Sequence, residues 1–338
     1  MKNNICIVGI GGRTGVMFAR ELQTAANVFG VGLAREVEMI NNKRISVMRG
    51  GSAPEFFEVE AAGADEFAAF AGRIKPDFLW MAIKNPVADA VEYYYREFKH
   101  WDNLPALILS QNGLSAINDA REGLKKALGA DADRVAIIRV SVINGVDLAV
   151  KGGASVINYK LPIKLGFGPC ITPREGQNKA NELAAIFEKA ALKAQRFSGG
   201  NVVKMENSKL FTNLIGMAAA SRGMGVSDGF RDKKIFKEEV AMLKEFVLAV
   251  KSGGLGFLPV FAGYPIGFLA NLMLLPDFML VPFRGIFERI VAKGRNRPKD
   301  MFEIDYYNGE AVKLGKKFGV ATPENEMVME RAKKIIKK

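Results

Sequence analysis

The chain has 338 residues, enough for two ordinary domains with a core each, and its 49% apolar content and mean hydropathy of +0.05 are those of a globular protein. Two cysteines, Cys6 and Cys170, form no metal-ligand spacing and suit a reducing compartment, so no metal is expected. The net charge of +12 is uneven, with 20 basic and 18 acidic residues in 1–170 against 28 and 18 in 171–338; no nucleic-acid motif accompanies it, which leaves an anionic small molecule as the expected partner and excludes nucleic acid.

No signal-peptide pattern precedes the first apolar run, and the chain is expected in the cytoplasm. That run, Ile5-Cys6-Ile7-Val8, stops at Gly9-Ile10-Gly11-Gly12-Arg13-Thr14-Gly15, after which Val16, Phe18, Ala19 and Leu22 fall at helical spacing. Strand, glycine turn and helix in this order suit a dinucleotide. Gly9 allows the tight turn, and Gly11 lets the backbone approach a pyrophosphate at the positive end of the helix, with Gly12 beside it. The third glycine of G-x-G-x-x-G would stand at Thr14 and appears one place later, at Gly15.

The next strand is expected over Val28–Leu33, followed by Ala34 and Arg35 in place of an acidic residue. An acid there accepts from the ribose 2′-hydroxyl of NAD, whereas Arg35 can pair with the 2′-phosphate of NADP. NADPH is therefore the expected cofactor, with NADH still possible and Glu36 and Glu38 alongside.

Possible strands near Arg44–Val47 and Phe56–Val59 and a helix near Ala64–Phe70 come next. Asp77–Ile83 reads as a buried strand ending in Lys84-Asn85-Pro86, Val87–Phe98 as a helix, and Leu104–Leu109 as a strand ending in Ser110-Gln111-Asn112-Gly113. Alternating strands and helices predict a doubly wound parallel sheet, which binds ligands at the carboxyl ends of its strands, where Lys84 and Asn112 stand. Asn-Gly is equally a common turn pair, and a lysine after a strand is often just leaving the core. His100 reads as surface or packing, so a proton donor other than histidine is required. Strand-like pieces at Val135–Val142, Ser155–Asn158 and Lys164–Phe167 lead to Thr172-Pro173, where the boundary between an amino-terminal domain (1–172) and a helical domain (173–338) is placed. Helices are expected over Asn178–Ala194, Val202–Met217 and Lys233–Val250.

The chain resembles the ketopantoate reductases (2-dehydropantoate 2-reductases) along nearly its whole length. The resemblance is carried by the glycine turn, Lys84, Gln111-Asn112-Gly113, the K-L-x-x-N pattern Lys209-Leu210-Phe211-Thr212-Asn213, and the carboxy-terminal pair of motifs Glu303-Ile304-Asp305-Tyr306-Tyr307-Asn308-Gly309 and Phe318-Gly319-Val320-Ala321-Thr322-Pro323-Glu324-Asn325. It implies an amino-terminal Rossmann domain, an all-helical carboxy-terminal domain, and NADPH-dependent reduction of a 2-oxo acid in the cleft between them. It also implies that Gly9, Gly11 and the Thr14/Gly15 pair hold the pyrophosphate and Arg35 the 2′-phosphate. Lys84 and Asn112 would lie near ribose and nicotinamide, Lys209 would donate the proton, and Asn213 and Glu303 would hold substrate.

Chemistry agrees with those roles. Hydride reaching a ketone carbon leaves charge on oxygen, and a lysine in a low-dielectric site both stabilises and protonates it. Lys209 and Asn213 are four apart and share a helix face. Glu303 can accept from a substrate hydroxyl and, by proximity, keep Lys209 charged. Two departures bear on the substrate: Met217 stands where the family usually has a second Asn, and 288–297 contains no Ser.

Residues 252–283 carry Asp277 as their only charge, and prolines at 259, 265, 276 and 282 leave no stretch long enough to span a bilayer. Buried helices or a homodimer interface, a substrate wall, and an interfacial membrane anchor helped by Arg284, Arg289, Lys293, Arg295 and Arg297 remain open. The expected function is NADPH-dependent reduction of a 2-oxo acid, with ketopantoate as the leading substrate. The alternatives are a same-fold reductase of a larger apolar ketone and a non-catalytic NADP-binding sensor or scaffold.

Overall fold

The computed structural model describes residues 2–171, 176–261, 263–292, 299 and 301–336. The chain divides into two compact units, Met1–Gln111 with Ala116–Val202, and Asn112–Ser115 with Val203–Lys338.

The strands of the first unit are β1 (Asn4–Val8), β2 (Asn27–Gly32), β3 (Ile45–Arg49), β4 (Glu55–Phe56), β5 (Glu60–Gly63), β6 (Phe78–Met81), β7 (Ala106–Leu109), β8 (Ile137–Val142), β9 (Val146–Lys151), β10 (Ala154–Tyr159), β11 (Lys164–Ile171) and β12 (Lys193–Arg196). Its helices are α1 (Arg13–Leu22), α2 (Ala34–Asn41), α3 (Phe67–Ile74), α4 (Ala88–Arg96), α5 (Ala116–Leu128) and α6 (Gly176–Lys189). Among the described residues, eight strands form one sheet in the order β12-β11-β8-β7-β6-β1-β2-β5. β1 lies parallel between β2 and β6, while β11 runs antiparallel to β8. The reversal of order at β1 is the topological switch point, and the doubly wound Rossmann-type sheet expected from the sequence is present.

The strands are apolar without alternation because both faces are covered. Ile5 and Ile7 pack with Val16 and Phe18 of α1 and with Leu183 and Phe187 of α6. Cys6 and Val8 point the other way, toward Phe67, Phe70, Val91, Tyr95 and Leu124. Burial pushes the Cys6 thiol far up, which leaves it an inert core residue.

The structure moves the expected domain boundary. Thr172 and Pro173 lie outside the described residues, but α6 and β12 beyond them belong to the first unit, whose second segment runs to Val202. The reason is β12, which pairs in parallel with β11 (Leu165 opposite Ala194). The helix expected over Asn178–Ala194 stops at Lys189, and Ala191 takes a left-handed φ of 55° before the strand begins. Sequence reading also missed β9 and the separate four-stranded sheet β4-β3-β10-β9, whose parallel pair β3 and β10 is far apart in the chain.

The second unit is helical, comprising most of α7 (Gly200–Leu214), then α8 (Met217–Ala220), α9 (Val226–Arg231), α10 (Lys233–Ser252), α11 (Ile266–Leu272), α12 (Asp277–Leu280), α13 (Arg284–Ala292), α14 (Asn308–Phe318) and α15 (Pro323–Ile336). Asp232 caps α10 by accepting from Lys234 N (2.7 Å) and Ile235 N (3.0 Å). From there α10 buries Phe236, Val240, Leu243, Phe246 and Val250 against the helices around it. The expected helix over Val202–Met217 ends at Leu214, because Gly216 turns left-handed (φ 90°) and the buried Glu239 carboxylate accepts from Gly216 N and Ala218 N across the break. Burial raises Glu239 to about pH 7. No described helix is long and apolar enough to cross a membrane. Between residues 252 and 283, Ile266, Ala270, Met273 and Leu280 are buried, but much of the segment's apolar surface is exposed.

A Cβ on Gly15 would overlap Gly9 O, so the close packing asked of a third glycine falls on Gly15 and not on Thr14. Gly15→Ala should therefore cost about 1–3 kcal/mol of stability in urea titration, and Thr14→Gly no more than about 1 kcal/mol. Equal stability of Gly15→Ala and the parent would contradict this.

Candidate active site

In the first unit the turn after β1 is fixed by backbone. Gly9 adopts φ 86°, and Gly9 N and Ile10 N both donate to Val31 O at 2.8 and 3.1 Å, tying the turn to the end of β2. Gly12 precedes α1, whose amino terminus has no side-chain cap and no acidic residue in its first turn. Uncapped amides at the positive end of a ten-residue helix fit an anionic pyrophosphate. Thr14 and Gly15 belong to that first turn.

At Gly11 the space a Cβ would need is already taken by Glu36, whose own Cβ lies 2.6 Å from it. The half-buried Glu36 also accepts from Leu33 N (3.1 Å), while Arg35 in the first turn of α2 is exposed. Lys84 is exposed just beyond β6. The buried Gln111 donates to Met81 O (2.7 Å) and Ile83 O (3.1 Å) and accepts from Arg139 (2.9 Å), bracing the carboxyl ends of β6 and β7.

The second unit gathers the other expected residues. Asn112, which sequence reading groups with the cofactor residues, falls in this unit. Its Nδ2 donates to Glu303 Oε2 (3.2 Å) and to the Tyr307 hydroxyl (3.0 Å), and its Oδ1 accepts from Asn213 Nδ2 (3.0 Å). The Tyr307 hydroxyl in turn donates to Glu303 Oε2 (3.2 Å). Asn112, Asn213, Glu303 and Tyr307 thus form one hydrogen-bonded cluster. Lys299 adds a second hold on the same turn, donating to Asn213 O (2.8 Å) and Thr212 O (3.2 Å) at the end of α7. Tyr307 and Lys299 were not anticipated: the first looks like a motif aromatic, and the second stands in a run of basic residues with nothing to distinguish it.

Lys209 lies one helical turn before Asn213 on α7 and is partly covered. Loss of hydration alone lowers its pKa to about 8, with no charge partner among the described residues contributing. The expected charge support from Glu303 does not figure among the causes of that shift, and the Glu303 carboxylate accepts from Asn112 and Tyr307. Met217 follows the helix break and is fully buried, so it does not continue the Lys209–Asn213 face. His100 is exposed.

Much of the carboxy-terminal motif is structural. Asn308 and Asn325 are fully buried, with Asn308 Nδ2 donating to Asn325 Oδ1 (3.0 Å) and Asn325 Nδ2 to Met242 O (2.9 Å). These bonds join α10, α14 and α15. Glu303 and Tyr307 are the motif residues that reach the cluster.

A Rossmann-type sheet followed by a helical unit defines a two-part architecture, and comparison with known proteins places it. Residues 297–336 match the family model described as ketopantoate reductase PanE/ApbA C terminal. Among solved structures, a PanE/ApbA family ketopantoate reductase from Ralstonia eutropha JMP134 is 17% identical with a TM-score of 0.70, covering 98% of each chain. D-mandelate dehydrogenase with NADH and anilino(oxo)acetate is 14% identical, TM-score 0.69, covering 97% of each. The 2-dehydropantoate 2-reductase from Methylococcus capsulatus is 19% identical, TM-score 0.67, covering 98% of this chain and 96% of that one. No curated protein matches. Residues 297–336 thus resemble the carboxy-terminal region of the ketopantoate reductases, and the fold of the chain is similar to solved structures of that name and of D-mandelate dehydrogenase alike.

Tyr307→Phe removes the hydroxyl shared by Asn112 and Glu303 and should cost about 0.5–1.5 kcal/mol in denaturant unfolding. A change below about 0.3 kcal/mol would show that the cluster does not constrain this unit.

Proposed function

We propose that the chain reduces a 2-oxo acid to the 2-hydroxy acid with a nicotinamide dinucleotide, 2-dehydropantoate being the leading substrate. The observation that carries this reading is Lys209, a lysine brought to about pH 8 by burial and set one turn from an asparagine inside a polar cluster. A binding protein has no need of a tuned ammonium, whereas a ketone reductase needs a proton donor near its working pH.

The first unit would hold the dinucleotide at Gly9, Gly12, Thr14 and Gly15, with Lys84 toward the ribose. When bound, the dinucleotide supplies a hydride to the carbonyl carbon. Lys209 Nζ then gives its proton to the developing alkoxide and is left as a neutral amine, which solvent reprotonates. Asn213 and Glu303 would orient the substrate, Asn213 as amide donor and Glu303 as acceptor for a hydroxyl. Asn112 bridges the two and fixes their spacing. The likeness to D-mandelate dehydrogenase makes an aryl 2-oxo acid the substrate to set against 2-dehydropantoate.

Arg35 favours NADPH, since its exposed guanidinium is available to a 2′-phosphate. Glu36 favours NADH: a carboxylate beside Gly11 and Gly32, at the end of β2, suits a ribose 2′-hydroxyl and repels a phosphate. Fluorescence titration of both cofactors decides between them. If Arg35 rules, Arg35→Ala weakens NADPH by about 1.5–3 kcal/mol and leaves NADH unchanged. If Glu36 rules, Glu36→Gln improves NADPH relative to NADH.

Lys209→Ala should lower kcat by about 100-fold or more with dinucleotide affinity little changed. Because the pKa is lowered to about 8, the ammonium is present below that pH and lost above it. The kcat/KM for reduction should be level below about pH 7 and fall tenfold per unit well above pH 8, a limit absent from Lys209→Ala. The activity itself is tested by following dinucleotide oxidation across 2-oxo acids graded from branched alkyl to aryl. Oxidation with none of them would remove the proposal.

A further inference from the structure

α7 stops at Leu214, and the chain becomes helical again only at Met217, the start of α8. Such a break leaves the last carbonyls of one helix and the first amides of the next without intrahelical partners. Two charged side chains from other parts of the second unit take them. Lys299 Nζ donates to Asn213 O (2.8 Å) and Thr212 O (3.2 Å), and the Glu239 carboxylate on α10 accepts from Gly216 N and from Ala218 N (3.1 Å). Each sign suits its end, a cation on carbonyls and an anion on amides.

The two charges also act on one another. Glu239 is 1% exposed, and burial raises its pKa while the two amides and the charge of Lys299 act in the opposite direction. Without the ammonium, a carboxylate would stand in the core with its two amides alone. Capping by itself does not require this arrangement, since an exposed side chain is enough, as Asp232 shows at the start of α10. Withdrawing two charges from water at a helix break costs hydration, which points to a use beyond closing the helix.

What the two charges hold is the turn that carries Lys209 and Asn213. Thr212 Oγ1 donates to Lys209 O (2.7 Å), so the bond from Lys299 to Thr212 O continues to the backbone of Lys209. On the upstream side, Asn207 Nδ2 donates to Gly256 O (3.0 Å) and Ser208 Oγ accepts from Leu258 N (2.9 Å), with both side chains fully buried. The turn is therefore fastened at both ends, and the hold from Lys299 falls on Asn213 itself.

We propose that Lys299 is a positioning residue of the reduction: with Glu239 as its counter-charge, it sets where Asn213 and Lys209 meet the substrate without itself touching the reacting atoms. This role rests on the reading of the reaction given above.

Steady-state kinetics of the full chain, with the 2-oxo acid that the wild type reduces best, test it alongside fluorescence titration of the dinucleotide. Lys299→Met should lower kcat/KM by about 10–100-fold, the range expected when a group that orients substrate moves by about 1 Å, and should leave the dinucleotide Kd within about twofold. Lys299→Arg keeps a cation able to donate to both carbonyls and should recover kcat/KM to within about threefold of the wild type. Glu239→Gln keeps an acceptor and removes the charge, so it should lower kcat/KM too, and the double variant should lose less than the product of the two single losses, because both act on one break. Rates are taken well below the melting midpoint and per folded protein, so that lost stability alone would leave kcat/KM unchanged. If Lys299→Met does not fold, Lys299→Gln, neutral but able to donate to one carbonyl, carries the same comparison. A folded neutral variant with wild-type kcat/KM, or a Lys299→Arg no better than the neutral variant, would overturn the positioning role and leave the reaction standing. A wild type that reduces no 2-oxo acid would remove the reading of the reaction, and this role with it.

Discussion

An ammonium partly withdrawn from water, with no charge partner among the described residues contributing to its shift, is the constraint on which the proposed chemistry of the second unit depends. Desolvation penalises the charged form, and since nothing opposite in sign offsets it, Lys209 falls to about pH 8. For the proposed proton transfer its position on α7 must also be held, because a proton donor acts only within hydrogen-bond reach. The far end of α7 is accordingly fixed twice, by Lys299 on the carbonyls of Thr212 and Asn213 and by Glu239 on the amides after the break. Asn213, between these holds, is joined to Asn112, Glu303 and Tyr307, so three separated parts of the chain meet in one polar cluster.

That arrangement divides the work of the carboxylates. Glu303 accepts from an amide and a phenol, which fixes its orientation, and its charge does not figure among the causes of the Lys209 shift. Had it paired with Lys209, the ammonium would be held near or above its ordinary value and would be a poorer acid at neutral pH.

Fold and site differed in how legible they were. Apolar runs such as Ile5–Val8 and Phe78–Met81 show the parallel sheet, because strands buried on both faces lose their alternation. The boundary at Thr172-Pro173 was misplaced because β12, Lys-Ala-Gln-Arg, is a polar edge strand with no apolar signature, and the pairing that claims it for the first unit is non-local. The same holds for β3 and β10. Lys209, Asn213 and Glu303 were visible through a family pattern, but their geometry was not: no local rule says that Glu303 turns toward Asn112, that Tyr307 joins them, or that Glu36 fills the space beside Gly11. The composition of 252–283 left buried helices, an interface, a substrate wall and a membrane anchor open; among the described residues Leu258, Phe261, Ile266, Ala270, Met273 and Leu280 are buried while Phe268, Phe278 and Phe283 are exposed, a division the apolar, proline-divided sequence does not encode.

The most direct measurement is the titration of the Lys209 amine itself, by heteronuclear NMR of the protein labelled at lysine Nζ and assigned through Lys209→Arg. A midpoint near pH 8 is the result this account requires. A midpoint at the ordinary lysine value of about 10.4 would contradict it, since the ammonium would then be hydrated or paired and Lys209 would have no special claim to the proton transfer.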